Sequence, residues 1–158
     1  MIHFERTLEI DATPEAVWAI VGNFMQIDEY APEIVSVDAL TNGKDGIGSK
    51  RRNNFKNGTS LVEEVTEWDA NRRYHRFQLS EMESMPLHEG YSSISIDPMD
   101  NGRSMVTWDF DYRVKFGFLG WLLGQTMMKM MMSKIIDGNL KGIADKVRSN
   151  RTATALAT

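Results

Sequence analysis

Side chains able to move a proton near neutral pH are few in this sequence: His3, His75 and His88, with the carboxylate Glu63 and the phenol Tyr91 as further candidates. An unperturbed imidazole titrates near neutrality, which makes His75 and His88 natural general-base candidates. No spacing among these residues guarantees an acid–base pair on one substrate position, and a lone strand histidine is more often simply packed or solvated. The chain has no cysteine, which excludes disulfides and thiolate metal sites, and its histidines are too scattered for a zinc motif. Neither a metal nor a cofactor is expected. Asn139 differs in kind, because it falls amid Met132, Ile135 and Ile143 on an apolar helix face. A buried amide without a partner costs on the order of 1–3 kcal/mol. It must meet a polar ligand group, a trapped water, a sheet residue or a neighbouring backbone group.

The elements that position these groups are read from hydrophobic period. Ile2, Phe4, Leu8 and Ile10 mark a strand over 2–10. In IDATPEAVWAIVGNF the period changes: Thr13 is a good N-cap, Pro14 suits the first helical position, Glu15 favours the positive end of the helix dipole, and Val17, Trp18, Ile20 and Val21 form the buried stripe. MQIDEYAP predicts a second brief helix or turn. Strands follow near 34–41, 47–55, 60–68, 72–80, 90–97 and 104–115, with spacing short enough to imply antiparallel hairpins. The last is the clearest, since Val106, Trp108, Phe110, Tyr112 and Val114 alternate with Thr107, Asp109, Asp111 and Arg113.

From about Leu119 to Val147 the pattern is helical, with Met128, Met131, Met132, Ile135, Ile136, Ile143 and Val147 on one side and Lys129, Ser133, Asp137 and Lys141 opposite. QTMMKMMMSKIID holds five methionines within six positions. Unbranched, polarizable methionine adapts to irregular partners, so the stripe suits either a cavity wall or an ordinary core. Met130 falls outside it, to be covered by another segment or exposed at a self-association surface. The tail SNRTATALAT has little to bury and is expected to be flexible over 149–158.

The 158 residues with 42% hydrophobic content suffice for one domain, placed at 1–148. A net charge of −4 gives no basic footprint, so nucleic acid is not an expected partner. Charged residues break MIHFERTLEI before a signal-peptide core forms, and no apolar run reaches membrane-spanning length. The expectation is a soluble cytoplasmic protein.

At IDATPEAVWAIVGNFMQIDEYAPEI, GIGSKRR, EEVTEWDANRRYHRF, GRSMVTWDF and the final helix, the sequence resembles the SRPBCC superfamily, and within it the polyketide cyclase/dehydrase-like branch, kin to START lipid-transfer domains and birch-pollen-allergen-type proteins. The resemblance implies an α+β helix-grip fold: a curved antiparallel sheet of about seven strands wrapped around a long C-terminal helix, with two short helices after the first strand and a cavity between sheet and helix. Arg51, a few positions after the second glycine of GIGSKRR, and Glu63, mid-strand, match family positions. Such a pair either orients a ligand carboxylate or hydroxyl or neutralises itself structurally. Phe77 and Tyr91 match cavity-lining positions in related receptors. SMPLHEG stands where the family carries a Gly-Pro-Leu-Pro-like turn over the cavity mouth, with Ser84 and Met85 replacing the Gly-Pro portion.

The expected cavity is bounded by Met128, Met131, Met132, Ile135 and Asn139 on the helix and by Arg51, Glu63, Phe77, Tyr91, Trp108 and Phe110 on the sheet. FGFLGWLLG, with Phe116, Phe118, Leu119, Trp121, Leu122 and Leu123, is either a lip of the entrance, a patch for a membrane or partner, or a helix start tucked against the sheet. Three functions remain: binding or transport of a small hydrophobic lipid, polyketide or aromatic compound; a polyketide cyclase or dehydratase; and a ligand-regulated interaction module. Binding ranks first, because a carboxylate held by an arginine suits anchoring better than proton delivery. Oligomeric state, monomer or homodimer, stays open, as does transient membrane contact.

Overall fold

A computed structural model describes every residue except Lys44, Phe116 and Thr158, and for Leu123 the backbone only. Strand β1 (Ile2–Ile10) is followed by helix α1 (Pro14–Val21) and a 3-10 segment, Phe24–Glu29. Strands β2 (Ile34–Ala39), β3 (Lys50–Phe55), β4 (Ser60–Asp69), β5 (Tyr74–Ser80), β6 (Leu87–Pro98) and β7 (Ser104–Val114) then precede a helical run made of α2 (Gly117–Leu123), a π turn (Gly124–Met128) and α3 (Lys129–Leu156). The sheet is seven-stranded in the order β1-β7-β6-β5-β4-β3-β2. Every pairing is antiparallel. This is the expected helix-grip arrangement.

Local chemistry accounts for the ends of α1. The Thr13 hydroxyl accepts from the Ala16 amide, Pro14 occupies the first turn, and Glu15 lies in that turn, satisfying an orphan donor and complementing the dipole. α1 and the 3-10 segment cover one end of the sheet's inner face. There Trp18, Trp68, Phe24 and Phe77 surround the His75 ring at 5.4–6.2 Å between centroids.

Helix α3 is clamped by ion pairs that cross the fold. Arg6 of β1 donates to Asp137 through Nε at 2.8 Å and Nη2 at 2.6 Å, and Lys146 pairs with Glu29 at 2.7 Å. Two glycines permit the close approaches. A Cβ at Gly124 would lie 2.8 Å from Ile2 and 2.9 Å from Val114, and one at Gly142 would overlap the Tyr30 carbonyl. The Tyr112 hydroxyl donates to the Gly124 carbonyl at 2.6 Å, tying β7 to the π turn.

Two expectations for the helix change. The segment 149–158, expected as a flexible tail, continues α3 to Leu156. Arg151 bonds back to Asp11, and no glycine or proline interrupts the segment, so nothing stops the helix at Val147. The π turn at Gly124–Met128 inserts extra chain into the helical ladder and shifts the phase of the methionines around it. Met128 is buried and Met132 half-buried, but Met131 is 48% exposed and Met130 70% exposed. Met130 takes the exposed alternative.

Candidate ligand cavity

Between α3 and the inner face of the sheet lies a cavity of about 930 Å³, within the range of small-molecule sites. Strand alternation builds its floor. Phe55 and Asn53 of β3, Leu61 and Glu63 of β4, Phe77 and Leu79 of β5, Ser92 of β6, and Trp108 and Phe110 of β7 all point inward. Helix α3 and the π turn supply Met128, Met131, Met132, Ile135 and Asn139 on the facing wall. The Ser84–Pro86 stretch of the β5–β6 loop reaches the cavity, as the mouth-turn reading requires. Lys115 holds it in place, its Nζ donating to the Met85 carbonyl and its amide to the Pro86 carbonyl, both at 3.0 Å.

Nine of the eleven expected lining residues meet there: Glu63, Phe77, Trp108, Phe110, Met128, Met131, Met132, Ile135 and Asn139. Two do not. Tyr91 lies on the outer face, where its hydroxyl donates to Glu89 at 3.0 Å and its ring stacks under Arg76, 5.2 Å from the guanidinium carbon. The inward phase of β6 belongs to Gly90, Ser92, Ile94 and Ile96. Ile94 and Ile96 were the sequence signal for that phase, since an apolar pair two apart outweighs one tyrosine.

Arg51 points inward but is sealed below the cavity. Its Nε donates to Glu63 Oε2 at 2.7 Å, its Nη2 forms an ion pair with the same oxygen at 2.6 Å, and its guanidinium lies 3.8 Å from the centre of the Phe24 ring. It is 1% exposed. An arginine fixed this way is held by a carboxylate and an aromatic face. Beside it, burial pushes the Tyr30 phenol up to about 12, Arg51 opposing that rise and Glu63 adding to it.

Polar groups that do reach the cavity are mainly acceptors and amides. Both Arg51 contacts fall on Glu63 Oε2, and Glu63 itself lines the cavity. Asn53 and Asn139 are almost fully buried, and the Oδ1 of each has no hydrogen-bond partner among the described residues. Buried amides in that condition are uncommon. Ser92 is satisfied, donating to the Asp109 carbonyl at 3.0 Å and accepting from Trp108 Nε1 at 2.7 Å. Asn53 was missed as a site residue because the pattern gave only its face, which it shares with Arg51.

The acid–base candidates separate. His75 is buried within its aromatic cage, outside the cavity lining, and burial followed by the charge of Arg51 lowers it from the usual imidazole range to about 3. It stays neutral and has no route to a ligand. His88 is exposed on the other side of β6 from Leu87. His3 pairs with Asp111 at 2.8 Å on the outer face, where its ring, Glu5 and Asp109 bring donor atoms within 4.8 Å of one another. Only Glu63, of the named candidates, reaches the cavity.

Residues 1–148 match the family model described as polyketide cyclase / dehydrase and lipid transport. The chain belongs to this family. Solved structures of the same fold include XoxI from Bacillus cereus, 19% identical, with a TM-score of 0.77 over 96% of this chain and 99% of that one. The Zhui aromatase/cyclase from Streptomyces sp. R1128 is 16% identical, with a TM-score of 0.77 over 93% of each chain. A norcoclaurine synthase from Thalictrum flavum is 14% identical, with a TM-score of 0.74 over 95% of this chain and 96% of that one. Identities this low carry the fold alone. No functionally curated protein matches the sequence.

Proposed function

We propose that this protein binds and carries a small, largely apolar molecule whose polar head donates a hydrogen bond to the Glu63 carboxylate, with the Asn53 and Asn139 amides beside it. The observation that carries this reading is the apolar cavity of about 930 Å³ lined by the Glu63 carboxylate and by Asn53 and Asn139, each of whose buried Oδ1 atoms has no hydrogen-bond partner among the described residues. A donor head, such as a hydroxyl, offsets the penalty of leaving those acceptors dry. A carboxylate head would meet the charge of Glu63, and Arg51, whose Nη1 has no partner among the described residues, is buried outside the cavity lining, so the anchoring role expected of Arg51 passes to Glu63 and Asn139. Membership of a family described by lipid transport supports the class of cargo.

The test is uptake of the neutral probe N-phenyl-1-naphthylamine, followed by displacement with long-chain alcohols and with fatty acids of equal length. Alcohols should displace better, and Asn139→Leu should narrow the difference without unfolding the protein. Failure of the neutral probe to bind would remove the binding function. Equal displacement by acids and alcohols would remove the head-group assignment.

A second reading, cyclase or dehydratase chemistry, is favoured by one feature: the Glu63 carboxylate lines the cavity and could accept a substrate proton. Conversion of poly-β-ketone or hydroxyacyl substrates that Glu63→Gln abolishes, with folding and probe affinity intact, would establish it over carriage.

A further inference from the structure

We propose that the rim formed by α2 and the start of α3 docks on an anionic lipid bilayer, so that the cavity mouth opens against the membrane. Phe118 and Leu119 are 76% and 71% exposed, Trp121 and Leu122 about half exposed, and the Phe118 and Trp121 rings stack at 6.1 Å. These side chains lie within five consecutive residues and leave a large apolar area uncovered, which is how a surface looks when it awaits an apolar partner. Gly120, Gly124 and Met127 of the same stretch line the cavity, so the patch adjoins it.

Charge decides between a bilayer and a second copy. From Tyr112 to Ile136 the sequence contains Arg113, Lys115, Lys129 and Lys134 and not one acidic residue, in a chain whose net charge is −4. Arg113 is spoken for by Glu89 at 3.7 Å, while Lys115, Lys129 and Lys134 form no ion pair among the described residues. Glu33, the other acidic residue besides Glu63 among the cavity-lining residues, pairs with Lys56. A second copy would bring the same lysines together and repel. An anionic lipid surface attracts basic residues, roughly fivefold in affinity for each one near it, while apolar side chains enter the headgroup boundary. Aromatic residues with one polar edge, such as Trp121, favour that depth.

The proposal concerns the rim and is measured apart from cavity binding. Flotation of the full-length protein with vesicles of phosphatidylcholine alone, and of phosphatidylcholine mixed with phosphatidylglycerol, should show binding to the mixed vesicles only, reversed by salt, with a blue shift of tryptophan emission. The pair Phe118→Ser and Trp121→Ser, and separately Lys129→Glu, should each weaken that binding about tenfold or more. Circular dichroism should be unchanged, because Phe118 and Trp121 are exposed and the half-buried Lys129 forms no ion pair among the described residues. Unaltered vesicle binding in both variants would overturn the proposal, as would no binding by the wild type. A dimer that Trp121→Ser dissociates would assign the patch to a second copy instead. Neutral-probe uptake on the same preparations reports on the cavity separately, so loss of one function is distinguishable from loss of the other.

Discussion

Arg51 and Glu63 are register partners on β3 and β4, and the guanidinium meets a single carboxylate oxygen, Oε2, through Nε at 2.7 Å and Nη2 at 2.6 Å. Glu63 lines the cavity, and Arg51 does not. Breaking a buried pair by removing one partner leaves an uncompensated charge, whereas replacing both with apolar groups is often neutral. Arg51→Met should therefore lower unfolding free energy by about 3–5 kcal/mol. Combining it with Glu63→Leu should restore most of the loss, as read by urea denaturation.

His75 supplies a pH dependence. Its folded value, near 3, lies below the ordinary imidazole value of 6.5, so between those limits the unfolded chain binds the extra proton. Stability from this residue is complete above about pH 6.5 and is lost as pH falls towards 3. His75→Phe keeps an aromatic ring in the cage and removes the titration. The stability of wild type relative to this variant should fall by on the order of 2–3 kcal/mol between pH 7 and pH 4, measured by denaturation at each pH.

Gly142 and Gly138 sit one helical turn apart on α3 with different surroundings. A Cβ at Gly142 would run into the Tyr30 carbonyl, whereas one at Gly138 would reach only Pro32 at 3.4 Å. Gly142→Ala should destabilise the protein by about 3 kcal/mol or more through forced displacement of α3. Gly138→Ala should be near neutral, or slightly stabilising through helix propensity. Thermal melts of the two variants separate these outcomes.

Tyr91 and Met132 provide a matched pair for ligand binding. Met132 lines the cavity and Tyr91 lies on the outer face. Met132→Trp should fill part of the space and weaken neutral-probe binding at least about tenfold, while Tyr91→Phe should leave it unchanged. A probe titration in which Tyr91→Phe weakens binding as much as Met132→Trp would contradict the placement of both.

Much of the fold was legible in the sequence, because it rests on local period. The Thr13–Pro14 start of α1, the inward set Val106, Trp108, Phe110 and Tyr112, and the apolar stripe of the last helix follow from side-chain directions that repeat every 2 or 3.6 residues. Family resemblance supplied the order into which these pieces assemble. Nine lining residues were found this way, since an inward apolar residue opposite the long helix has few other places to go.

What remained was decided by contacts distant in sequence. Period gives which residues share a face, but which face is inside depends on pairing with neighbouring strands, and Tyr91 was assigned to the wrong one. Direction alone could not show that Phe24, brought from the 3-10 segment, would close over Arg51, or that Trp18 and Trp68 would wall off His75. Inward-pointing residues at one end of the sheet became core, and those at the other end became cavity, because α1 reaches only so far. The sequence determined a sheet, a long helix and an apolar interior between them; tertiary packing alone decided that the Glu63 carboxylate, and not Arg51, would line the space.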